Sequence, residues 1–119
     1  MEYKGTEMSG GALAWFVQRL SGLALIIFLM VHFVLMHFFV GDLTYENIAP
    51  RLANPMWKTF DLAFLILALY HGLNGIWAVV LDYINSRPWQ IAIYSALIFL
   101  GLLLLVLGTI TILPFSPQL

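Results

Sequence analysis

The stretch Leu62–Leu81, LAFLILALYHGLNGIWAVVL, decides the fold. It runs twenty residues without a single Asp, Glu, Lys or Arg. An apolar helix of about 20 residues covers roughly 30 Å, the thickness of a bilayer's hydrocarbon core. In lipid each backbone N–H and C=O must bond within its own segment, so a stretch of this kind is a helix. Leu20–Gly41 and Pro88–Leu119 are likewise free of those four residue types. The charged residues cluster between the stretches: Glu2, Lys4, Glu7 and Arg19, then Asp42, Glu46, Arg51, Lys58 and Asp61, then Asp82 and Arg87.

Composition agrees. The chain is 62% hydrophobic and 9% charged, against about 25% charged in a soluble domain. A soluble domain of this size could not hide so much apolar surface. The expected fold class is therefore all-α: a single transmembrane domain over residues 1–119, with helices at about 13–40, 57–84 and 89–113. A net charge of −1 leaves no basic footprint for nucleic acid, so none is expected as a partner. The absence of cysteine excludes disulfides and any cysteine-held metal cluster within the chain. The polar start, with Glu2, Lys4 and Glu7, is not the pattern of a cleaved signal peptide.

The connections differ in kind. Gly41–Met56 holds Gly41, Asp42, Asn47, Pro50, Asn54 and Pro55, which are turn and breaker residues, and reads as a loop. Asn85–Pro88 is so short that the second and third spans must be antiparallel neighbours. Pro88 suits the first turn of the third span. Trp15, Trp57, Tyr83 and Trp89 fall near span ends, where an aromatic belt belongs. With the N-terminus inside, Lys4, Arg19 and Arg87 face the cytoplasm, and Arg51 and Lys58 face out, a small excess favouring a cytoplasmic N-terminus. The side of Arg19, Asp82 and Arg87 is called near; that of Asp42 and Lys58, far.

Ionisable residues inside a span are costly and suspect as functional. All three histidines, His32, His37 and His71, lie within spans. An imidazole in a dry bundle is a natural axial ligand for haem iron. His71 sits mid-span with Gly75 one turn on, on the same face, where a missing side chain would leave room for a porphyrin plate. The other reading is that Gly72 and Gly75 let helices pack closely while His71 bonds a neighbour. His32 lies about 15 Å of helix from Asp42, and His71 about 16 Å from Asp82. Antiparallel packing brings them to similar depths, on one haem or on two. His37, about 140° around a regular helix from His32, cannot share its iron and reads as an interfacial residue. Asp82 and Tyr83 close the second span on the near side and Arg19 opens the first there. Taken alone they read as a span-end ion pair beside a belt tyrosine; a quinone pocket is the functional alternative. The third span carries Ala92, Ala96, Gly101 and Gly108, small residues suited to helix contact. Met30 and Met36 read as fillers.

The combination resembles a known family. Trp15-Phe16-Val17-Gln18-Arg19-Leu20-Ser21-Gly22, with His32 ten residues beyond, is similar to the first helix of the succinate dehydrogenase anchors that carry two haems. Asn54-Pro55-Met56-Trp57-Lys58-Thr59-Phe60-Asp61 resembles the start of their second helix. His71-Gly72-Leu73-Asn74-Gly75, followed by Asp82-Tyr83, resembles the second helix of the smaller anchor. The likeness covers about residues 13–87. It implies half of a heterodimeric haem-binding bundle in the inner (plasma) membrane, made with a second three-helix anchor beside an iron–sulfur subunit and a flavoprotein. It implies His71 as ligand to the haem b nearer the iron–sulfur subunit and His32 as ligand to the farther one. Tyr83 and Asp82 would border a quinone site, and Arg19 could meet a haem propionate. One departure stands out: some relatives have arginine after the second glycine of the second helix, where this chain has Ile76 and Trp77. A single-haem anchor, and a cofactor-free transporter or assembly subunit, are the competing expectations.

Overall fold

A computed structural model describes residues 7–116, with side chains from Gly11 onward. Lys4, which bears on the orientation, and Glu2 lie outside the described residues. The chain forms α1 (Glu7–Val34), continued by a π-helical turn (Leu35–Phe39), then α2 (Tyr45–Ala53), α3 (Pro55–Tyr83) and α4 (Arg87–Ile112). Three helices, Gly11–Phe39, Pro55–Tyr83 and Arg87–Ile112, are long and apolar enough to cross a membrane. These are the three spans expected. At 29 residues, α3 is about 43 Å long, so its ends emerge past the hydrocarbon.

The connection expected to be a loop is half helix. Gly41, at φ +78°, breaks the first span in a conformation that glycine adopts without strain. Thr44 then caps α2 by accepting from the Asn47 backbone N–H at 3.4 Å. Asn54 ends α2 and caps α3, its side chain accepting from Met56 N–H at 2.9 Å, with Pro55 in the first turn. The turn residues of this stretch therefore act as caps between two helices.

α3 is the central helix and packs against both α1 and α4. Against α4 the contact is glycine into leucine. A side chain at Gly101 or Gly108 would strike Leu73 or Leu65 of α3, so these two make the expected close contact, whereas Ala92 and Ala96 are exposed. Against α1 the far half is aromatic: Phe28 stacks on Phe60 at 4.9 Å and His32 tilts against Phe64 at 5.5 Å. The far end is pinned by charge. Arg51 grips Asp61 with two bonds of 2.7 and 2.6 Å, and both side chains are almost enclosed. Lys58 donates to the Leu113 and Phe115 carbonyls at 2.8 and 2.6 Å. A cation there satisfies carbonyls that the end of α4 leaves open.

Within the spans, Ser21 and Gly101 are the buried residues among those described, and the chain itself covers little else. Leu, Ile, Phe and Val side chains are exposed along all three. Lipid and partner helices are the only solvents that tolerate such a surface.

Candidate functional site

Where the near halves of α1 and α3 meet, the packing turns polar. Ser21 is 4% exposed, the one buried polar residue among the described residues. Its hydroxyl donates to the Gln18 carbonyl at 2.9 Å. His71 lies opposite, with Nδ1 at 3.2 Å from both Ser21 Oγ and the Gln18 carbonyl oxygen. The Gln18 side chain completes the cluster: Nε2 donates to the His71 carbonyl at 3.2 Å, and Oε1 accepts from Asn74 Nδ2 at 2.8 Å.

A glycine on each helix faces the cluster, and at Gly22 the close approach requires it. A Cβ at Gly22 would sit 2.9 Å from His71 Cε1, and a Cβ at Gly75 would meet Gln18 Nε2 at 3.6 Å. Each helix thus presents a polar side chain and, four residues on, a glycine that receives the other helix's polar group: Gln18 with Gly22, His71 with Gly75. The open face of Gly75, expected to leave room for a porphyrin plate, is taken by Gln18 of the same chain. Gly72 instead has nothing within 4 Å. Interhelical hydrogen bonds in membranes average about 0.6 kcal/mol each, so the cluster contributes on the order of 2 kcal/mol to holding α1 on α3.

The geometry fixes the imidazole's tautomer. A carbonyl oxygen only accepts, so the Nδ1 facing Gln18 O carries the proton. The lone pair then lies on Nε2, which makes no hydrogen bond among the described residues and is not among the enclosed atoms lacking partners. Metal-bound histidines have this arrangement, one ring N–H held by an oxygen and the other nitrogen free. His71 therefore fits the axial position of a haem.

His32 differs. Its Nδ1 is enclosed in the packing with no hydrogen-bond partner. Only Nε2 can be reached from outside, so it could bind a metal, without the acceptor that supports His71. His37 lies in the π turn, its Nδ1 at 2.9 Å from the Phe33 carbonyl and its ring stacked on Phe33 at 4.1 Å. The π turn widens the helix, so the 140° separation from His32 expected at regular pitch does not hold across it. His37 is exposed, as expected of an interfacial residue.

On the near side, Tyr83 is 82% exposed at the end of α3, and Asp82 beside it is exposed too. The expected ion pair between Asp82 and Arg19 does not form; Arg51–Asp61 is the salt bridge among the described residues. Arg19 turns instead over the Trp15 ring, 4.1 Å from its centre, a cation–π contact. The near-side groove between α3 and α4, about 230 Å³, is lined by Trp77, Leu81, Arg87 and Tyr94 among others, and includes neither Tyr83 nor Asp82.

The polar partners of His71 are not ionisable and so carry no charge signal in the sequence. Gln18, Ser21 and Asn74 are uncharged, but all three lie inside spans, and the matching four-residue steps Gln18–Gly22 and His71–Gly75 were the available signal.

Fold and site together define a class: a three-span membrane protein whose first two spans are joined by a polar cluster around a histidine. Sequence comparison narrows that class. The family model for the succinate dehydrogenase/fumarate reductase transmembrane subunit matches residues 6–109, and the chain belongs to that family. It is 33% identical over 106 residues to the succinate dehydrogenase hydrophobic membrane anchor subunit of Thermoplasma acidophilum, covering 87% of this chain and 86% of the relative. The subunit of the same description from Archaeoglobus fulgidus is 33% identical over 93 residues, covering 77% and 79%. A third, from Coxiella burnetii, is 27% identical over 86 residues, covering 66% and 68%.

Proposed function

We propose that this chain is the hydrophobic membrane anchor of a succinate:quinone oxidoreductase, holding haem b through His71 and His32 and bordering the quinone site with Tyr83 and Asp82. The observation that carries the haem assignment is the His71 ring, its Nδ1–H held by Gln18 O and its Nε2 free. Haem b, when bound, supplies a one-electron carrier between the membrane's two halves.

The chain's own residues do the holding. Gln18 O fixes the His71 tautomer, Gly22 admits the ring, and the Gln18–Asn74 bond keeps α1 and α3 in register. His32 offers Nε2 from the far half of α1. Arg19, held over Trp15 at the near surface, is a cation available to a propionate. Tyr83 presents its hydroxyl at the near interface, where it can donate to a quinone carbonyl, with Asp82 adjacent to accept or pass on a proton. Their exposure supports a quinone site completed by another subunit. The partners are a second three-helix anchor, which the uncovered apolar faces call for, and the iron–sulfur and flavoprotein subunits. The N-terminus is cytoplasmic, in the inner (plasma) membrane. On the far side Arg51 is already paired with Asp61, and Lys58 is bound to carbonyls, which leaves Arg19 and Arg87, among the described residues, as the basic groups open to an anionic leaflet.

A single-haem anchor is the second reading. The observation favouring it is that His32 Nδ1 has no acceptor, unlike His71. Haem quantitation on the purified complex decides. Two haems per complex support the first reading and one supports the second. A complex with no haem refutes both.

A further inference from the structure

We infer that Ser21 is a positioning residue for His71: its hydroxyl locks the imidazole with Nδ1 protonated and strengthens Nε2 as a donor. This rests on the reading of His71 as a haem ligand.

The Ser21 hydroxyl has one proton and gives it to the Gln18 carbonyl at 2.9 Å. Serine in a helix commonly back-bonds in this way. Only lone pairs remain on Oγ to face His71 Nδ1 at 3.2 Å. The Gln18 carbonyl at the same distance also offers only lone pairs. Nδ1 therefore faces two acceptors, and the opposite tautomer would set its lone pair against the carbonyl's. With one oxygen the ring could swing about it; with two, both from the same turn of α1, its orientation is set. A residue chosen only for small size here would be alanine, which fills the space and favours the helix more. Placing a hydroxyl in a nearly closed apolar contact makes sense if its acceptor capacity is used, and His71 Nδ1 is the group that uses it.

The chemical consequence is a sign. An acceptor on Nδ1–H draws the proton outward and makes Nε2 a stronger base. A stronger donor favours ferric over ferrous iron. Removing the Ser21 oxygen leaves Gln18 O as the sole acceptor, so the haem held by His71 becomes easier to reduce.

The test uses the whole purified complex carrying Ser21→Ala, with Ser21→Cys as a second variant that keeps the volume but is a weak acceptor. Haem content should stay at the wild-type level. The ferric-to-ferrous ratio at fixed potential should fall about threefold, an upward midpoint shift of about 30 mV for one electron. The low-spin ferric EPR signal of that haem should move with it. Wild-type midpoint and EPR signal in both variants overturn the role of Ser21. If only one variant assembles, its midpoint decides. A His71→Ala complex made in parallel separates the two failures: retention of all haem there overturns the ligand assignment itself, whereas haem loss there with unmoved Ser21 variants overturns only the positioning role.

Discussion

Replacing Gly22 by alanine adds one methyl group where the chain has no room for it. The new Cβ would lie 2.9 Å from His71 Cε1, whereas carbon atoms rest at about 3.5–4.0 Å. The ring must retreat by roughly 0.6–1 Å. It retreats from α1, and both oxygens that hold Nδ1 are on α1, each at 3.2 Å. Such a shift carries them to the limit of hydrogen bonding or past it. An off-rotamer imidazole costs about 0.5–1.5 kcal/mol and a lost hydrogen bond about as much again. The sum, about 1–3 kcal/mol, lowers haem affinity roughly five- to a hundred-fold. The assay is haem per complex by pyridine haemochromogen, normalised to the anchor present in the membrane. Gly75→Ala is the control, because its Cβ meets Gln18 Nε2 at an ordinary 3.6 Å and should leave haem content unchanged. Wild-type haem content and spectrum in Gly22→Ala would refute the claim that the glycine exists to seat the imidazole.

Other changes separate the remaining parts of the account. Asp61→Asn leaves the nearly enclosed Arg51 without its counter-charge and should destabilise the anchor by about 3–5 kcal/mol, seen as a lower Tm of the solubilised complex; an unchanged Tm would make the pair ornamental. Tyr83→Phe should slow quinone reduction while haem content and succinate oxidation by a soluble dye hold; normal quinone kinetics would leave Tyr83 a belt residue. His37→Ala should keep the full haem complement, since His37 is exposed in the π turn, and haem loss there would transfer the far ligand's role from His32 to His37.

Much of the architecture was legible because lipid imposes few solutions. Charge-free runs such as Leu62–Leu81 have to be helices, and the four residues Asn85–Pro88 have to return the chain antiparallel. The first connection, Gly41–Met56, is harder. Thr44, Asn54 and Pro55 are both loop formers and helix caps, and nothing in their identity told which use the chain makes of them. The π turn at Leu35–Phe39 has no marker in composition. At the site, His71 announced itself as an ionisable group in a span. Its partner Gln18 acts through a backbone carbonyl, which no side-chain pattern reveals, and the Gln18–Gly22 step matters only once α1 is seen against α3. The Arg19–Asp82 pair was inferred from shared depth. Depth along antiparallel helices does not fix the face, and Arg19 finds Trp15 four residues back on its own helix instead.

The central claim is that His71 Nε2, with Nδ1–H held by Gln18 O, is a haem ligand. Haem content and reduced α-band of the purified His71→Ala complex test it most directly. The account predicts an anchor that still inserts and assembles but lacks one haem, with His32→Ala losing the other. A His71→Ala complex with its full haem complement and an unaltered spectrum would contradict it.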